Sequence, residues 1–238
     1  IGFMVQTIVV GSFMQIWQPH VFGVRDPEEQ GRQLARVSTY AFLVIAAISL
    51  GLIAFGREAV NVLAGREGHY PAFRVVPWVA AGYVFNALNG LAQVPLFIAK
   101  RTRPMLWVNA VALAVNLGLN FLLIPRLGFV GAGVATLGTF ACLAAMGLWV
   151  ASDVVRTPFE LRRLGAVLAV VVAGLGTVLW IDDRWEVPYR AVLNVVALWK
   201  AGVLGALLAV LWWGLWRADE RGELVGSVVG RVRGSKSR

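Results

Sequence analysis

Apolar runs long enough to cross a bilayer recur along this chain, separated by short connectors that carry most of its charge. A hydrocarbon core needs roughly 20 consecutive apolar residues in a helix. Seven segments meet that demand: residues 1–18, 37–55, 77–99, 105–124, 129–150, 164–181 and 191–216. The pattern predicts an all-α integral membrane protein of about seven transmembrane helices. The stretch from Asn116 to Thr136, NLGLNFLLIPRLGFVGAGVAT, organises the middle of the chain. Proline disfavours helical geometry at Ile124, and Gly128 can take the left-handed backbone of a tight reversal. A turn over Arg126 to Gly128 therefore returns the fourth and fifth spans side by side. Gly131, Gly133 and Ala135 put little bulk on the fifth span, so a neighbouring backbone can approach closely. The chain opens at Ile1 inside an apolar run, without an initiator Met, a basic leader region or a cleavage site. A signal peptide would show these features, so the first span is read as cut short and the chain as the carboxy-terminal piece of a longer transporter.

Polar residues inside the apolar runs refine this picture. Asn86, Asn89 and Gln93 recur at i, i+3 and i+7 on the third span, one helical face, with Pro95 following. Asn109, Asn116 and Asn120 repeat the pattern on the fourth at i, i+7 and i+11. Amides facing lipid are costly, so both stripes must face protein or a watered cavity. The first reading is amide glue between the third and fourth spans. The second is that part of each stripe (Asn86, Asn89, Gln93, Asn116, Asn120) lines a transport pathway. Gln15 and Gln18 lie one turn apart on the first span. Lys200 is the only charged residue within a span, and is placed near the outer boundary, where its stem can snorkel to water. Contact with an anionic headgroup or substrate phosphate is the alternative role. Every acidic residue is assigned to a connector or the tail. Among them, Glu28 and Glu29 follow Pro27 in what reads as the first turn of a short helix before the second span.

Composition excludes a soluble domain: 58% of residues are hydrophobic, 15% charged, and mean hydropathy is +0.71. The net charge of +9 does not point to nucleic acid, because the basic residues fall between apolar blocks and form no patch or stripe. Of 22 Lys and Arg residues, fifteen lie on one side, in alternate connectors and the tail, and six on the other. The positive-inside rule makes the richer side cytoplasmic, with the carboxy terminus there. Tryptophans cluster near the proposed span ends, where an indole prefers the headgroup region. Residues 217–238 form a basic tail whose attraction to anionic lipid is worth on the order of 1 kcal/mol per basic residue at the surface. Cys142 is the single cysteine, and His20 and His69 stand far apart, so no metal site is expected. Phosphate-cradling glycine motifs, paired carboxylates and nucleophile elbows are missing from the sequence, and no catalytic residue, cofactor or enzymatic activity is expected.

The pattern "N…LN.LLIP..G..GAG.AT" in residues 116–136 resembles the carboxy-terminal half of the bacterial polysaccharide and lipid-linked oligosaccharide flippases. These belong to the multidrug/oligosaccharidyl-lipid/polysaccharide exporter superfamily. "FMQIWQPHVF" at Phe13 to Phe22 and "REAVNVLAG…YPAFRVVPWVAAGYVFNALNGLAQVPLFIAKRTRPML" from Arg57 to Leu106 carry the same likeness. The resemblance implies the second helical bundle of a two-bundle transporter over residues 1–151, two additional membrane helices over 152–216, and a cytoplasmic tail. It also implies alternating access in the bacterial inner membrane, with a polyprenyl-linked oligosaccharide as substrate for cell-surface polysaccharide biosynthesis. Glycosyltransferases or polymerases would be its partners, and Gln15 and Gln18 would line the pathway. Two other readings stand beside it. One is a cation-coupled multidrug exporter of the same superfamily, which would need acidic residues inside the bundle. The other is a non-transporting scaffold for envelope assembly.

Overall fold

The computed structural model describes residues 26–63, 74–154, 160–184 and 195–215, and among these every regular element is helical. Six helices follow in order: α1 Pro27–Leu63, α2 Val76–Ile98, α3 Arg103–Leu127, α4 Phe129–Val154, α5 Leu161–Arg184 and α6 Val195–Leu215. The second to seventh expected spans fall on α1 to α6, while the first span lies outside the described residues. Four helices among the described residues are long and apolar enough to cross a membrane: Glu29–Val60, Arg103–Leu127, Phe129–Asp153 and Leu161–Asp182. α2 is interrupted by its three amides, and the apolar stretch described on α6, Leu198–Val210, is shorter.

Helix boundaries differ from the expected ones in two places, both for local reasons. The acidic turn at Pro27 does not start a separate short helix; it starts α1 itself. The Asp26 carboxylate accepts from the Glu29 N–H at 3.4 Å, and the Asp26 carbonyl accepts from Gln30 at 2.9 Å. α1 runs for 37 residues and breaks at Phe55, whose φ of −110° and ψ of 16° leave helical geometry. That break coincides with the expected end of the second span. Residues 56–63, read from the pattern as an outer connector, resume the helix beyond it. At the other boundary α3 continues through Pro125 and Arg126 to Leu127, and only Gly128, at φ +59°, forms the reversal. Pro125 removes one intrahelical bond and crowds the Phe121 carbonyl, but only two helical residues follow it, so little of the helix lies beyond any bend it causes. The Gly128 N–H then closes the helix on the Ile124 carbonyl at 2.8 Å.

α4 packs broadly on both α3 and α2, α2 packs on α1, and α5 lies against α1 with α6 touching both. The main core is shared by α1 (Phe42, Leu50, Ile53), α2 (Val84, Leu88, Leu91), α4 (Ala144) and α5 (Val167, Val171, Val178). α3 stands at one edge. Only Val108 and Ala112 of its residues are buried, facing Leu143 of α4. Leu106, Trp107 and Phe121 point outward, with Phe121 81% exposed. An apolar surface of this extent on a membrane-length helix suits lipid rather than water.

Candidate functional site

The amide stripes are the first candidates, and the structure sends them to different neighbours than expected. α2 and α3 are consecutive, but α4 lies between them. Glue between the third and fourth spans is therefore corrected: Asn116 of one stripe and Asn89 of the other each meet α4, the first by a hydrogen bond and the second by packing alone. On α3 a chain of hydrogen bonds begins at Asn120, whose amide nitrogen donates to the Asn116 carbonyl and side-chain oxygen at 2.8 and 3.0 Å. Asn116 in turn donates to Thr139 Oγ1 of α4 at 3.0 Å, and the Thr139 hydroxyl donates to the Ala135 carbonyl at 2.7 Å. Such a chain satisfies every polar group it buries. Below it, Gly131 lets α4 approach the α3 backbone so closely that a Cβ there would sit 2.5 Å from the Leu123 carbonyl oxygen. Asn109 is exposed and donates within its own helix, to Met105 at 2.9 Å.

On α2, Asn89 is buried at the α4 interface, where its side-chain oxygen fills the space left by Gly147. Asn86 and Gln93 are half-buried. Thr139 and Gly147 are eight residues apart on α4, about 80° around the helix at 100° per residue. Asn116 and Asn89 thus meet α4 at positions about 80° apart around its axis. Gln15 and Gln18 lie outside the described residues.

The second candidate is a charge cluster that pattern reading missed. Lys200 does not snorkel. Its side chain is fully buried, and Nζ stands 2.8 Å from Asp182 Oδ1 of α5 and 3.6 Å from Glu58 Oε1 of α1. Its ammonium faces two carboxylates inside the bundle. Arg57 of α1, itself buried, reaches the same Asp182 oxygen at 3.9 Å. Two cations and two carboxylates from three helices meet here, with no net formal charge. Among the described residues Glu58 Oε2, Asp182 Oδ1 and Lys200 Nζ are buried without an aligned hydrogen bond, so the Lys200–Asp182 contact is an ion pair by distance and its alignment is poor. Contrary to expectation, then, acidic residues lie within helices, and two of them join this cluster: Glu58 just beyond the break in α1, and Asp182 in the last turn of α5. The signal that would have found them is topological. Up-and-down spans bring the end of the second, the end of the sixth and the start of the seventh to one side, and the charges at those three ends sum to zero.

Among the described residues no group of three or more His, Cys, Asp or Glu side chains is placed to hold a metal ion. The half-buried Cys142 thiol lies 3.7 Å from the Met146 sulfur one turn on.

Apolar helices of membrane length, amide bonds between them and charges kept inside define an all-α, multi-pass membrane protein. Over 141 residues, 52% of the chain, it is 35% identical to the protein named Probable multidrug resistance protein NorM of Rhodopseudomonas palustris, covering 28% of it. Over 158 residues, 58% of the chain, it is 32% identical to the like-named protein of Bradyrhizobium diazoefficiens, covering 31% of that protein. The aligned part of the chain spans less than a third of the length of these curated relatives. No family model matches the chain. No solved structure matches it either. Both relatives are named for multidrug resistance, and neither name mentions a flippase or a polysaccharide.

Proposed function

We propose that the chain supplies helices to a cation-coupled multidrug exporter of the multidrug/oligosaccharidyl-lipid/polysaccharide superfamily. It would work by alternating access in the bacterial inner membrane, with its basic tail in the cytoplasm. The observation that carries this reading is the 35% and 32% identity to two proteins named for multidrug resistance. Glu58 and Asp182 add support, because a cation-coupled exporter needs carboxylates inside the bundle and these two lie on helices, Glu58 buried and Asp182 half-buried, facing Lys200. Intramembrane ionisable groups face the protein interior and mark functional or pairing roles there.

A second reading keeps the lipid-linked oligosaccharide as substrate, with glycosyltransferases or polymerases as partners. It is favoured by the "N…LN.LLIP..G..GAG.AT" pattern and its companions, which follow the flippase order along several spans. Expression in an efflux-deficient bacterial host separates the two. The exporter reading expects lowered accumulation of a cationic dye, restored by an ionophore that collapses the coupling gradient. Unchanged dye accumulation, together with restored surface polysaccharide in a flippase-deficient host, would reverse the order of the readings.

A further inference from the structure

α6 is attached to the rest of the molecule in an unusual way. Among its described side chains, residues 198–210, Lys200 alone is buried. Its large apolar residues Leu198, Trp199 and Val210 are exposed, and Leu204, Leu207 and Leu208 are only partly covered by the core. In a bilayer, leucine gains little by leaving lipid for another helix, so such apolar contact scarcely distinguishes docked from undocked. A buried ammonium is different. Undocking α6 would part this ammonium from both carboxylates, and breaking a buried pair is far costlier than losing a surface one.

We propose that Lys200, Asp182, Glu58 and Arg57 form an ionic latch that docks α6 on the bundle and holds the break in α1 in one setting. Lys200 is the bolt. Asp182 joins α6 to the end of α5 at 2.8 Å, and Glu58 joins it to the segment of α1 beyond Phe55 at 3.6 Å. Arg57, next to Glu58, stands 3.9 Å from the same Asp182 oxygen, so the post-break segment is tied to Asp182 directly through Arg57 and to Lys200 through Glu58. Because α1 leaves helical geometry at Phe55, the segment after it has no continuous helix to orient it. The latch supplies that orientation. This role stands whether the protein exports drugs or flips lipids.

The mid-height junction of the three helices offers a readout away from the charges. A Cβ on Gly174 of α5 would lie 2.6 Å from Leu50 Cδ2 of α1 and 3.1 Å from Leu207 Cδ1 of α6, so those two leucines converge. Cysteines replacing Leu50 and Leu207, in the full chain with Cys142→Ala, should be bridged in membranes by a short bifunctional thiol reagent that spans the gap left by the shortened side chains. The latch expects Lys200→Met to lower the cross-linking rate by about tenfold or more, and Lys200→Arg to preserve most of it. Asp182→Asn should act like Lys200→Met, and the two together should do little more harm than either alone, since each breaks the same pair. Hydrogen exchange over residues 56–63 should rise in the same variants. If Lys200→Met fails to insert, the Asp182→Asn and Glu58→Gln variants carry the test alone. Cross-linking and exchange unchanged in the inserted charge variants would overturn the latch and leave α6 docked by packing.

Discussion

Gly131 and Gly176 look alike in the sequence, each a glycine inside an apolar helix, yet the structure gives them opposite meanings. At Gly131 a methyl group would meet the Leu123 carbonyl oxygen at 2.5 Å and the Ile124 nitrogen at 2.9 Å, all backbone that cannot swing aside. At Gly176 nothing lies within 4 Å. Gly131→Ala should therefore destabilise by about 1–3 kcal/mol through forced separation of α3 and α4. Gly176→Ala should be neutral, or stabilise by up to about 1 kcal/mol through helix propensity. Unfolding in mixed micelles would compare the two, and equal costs would contradict the close approach. The small-residue pattern after Gly128 was legible as an invitation to close packing. Its addressee, the carbonyl of Leu123 in the preceding helix, followed from the tight reversal. Lys200 shows the opposite case. Its isolation in an apolar run was visible, but its partners are 18 and 142 residues away in the chain, and nothing in local pattern links them.

Among the elements, α1 and α3 mark the extremes of burial. α1 has core neighbours on several sides, and Phe42 at its centre is 0% exposed; α3 leaves Phe121 81% exposed. Phe42→Ala should cost about 3–5 kcal/mol, since the cavity it opens is walled by α1, α2 and α5 and cannot collapse. Phe121→Ala should change stability by less than about 0.5 kcal/mol. A comparable loss at both positions in thermal unfolding would mean that α3 is covered by protein. The apolar period located both helices in the sequence but ranked neither, because a helix that is hydrophobic all round looks the same beside lipid or core. The amide stripes were likewise legible as polar faces needing partners. Chain order suggested that α2 and α3 satisfy each other, whereas α4 folds back between them and takes both. Adjacency in the chain decides which helices are joined, while side-chain volume and hydrogen-bonding decide which are packed.

On the scale of the whole molecule, the alternation of spans expected from the sequence has an internal check in the charge cluster. Arg57 and Glu58 near the end of α1, Asp182 at the end of α5 and Lys200 near the start of α6 can meet only if those ends share a side. Tryptophans agree, since Trp78, Trp107, Trp149, Trp180 and Trp199 all stand within about two turns of a helix end. Which side faces the cytoplasm rests on the basic connectors. A topology reporter fused after Arg238 should read cytoplasmic, and one inserted beside Arg126 should read outside. The reverse pair of signals would invert the orientation while leaving the packing intact.

The sequence by itself determined that this chain is helical and built for a bilayer, where its spans begin and turn, and which exporter superfamily it resembles. Those properties are written in period, length and composition, all of them local. The tertiary structure decided which helices touch, that the α3 asparagines hold α4, and that the one lysine within a span is paired rather than snorkelling. These outcomes depend on distant residues competing for the same buried space. In a bilayer, where apolar surface scarcely prefers one neighbour over another, the few polar groups discriminate most strongly between arrangements, and their partners emerge only when the helices are assembled.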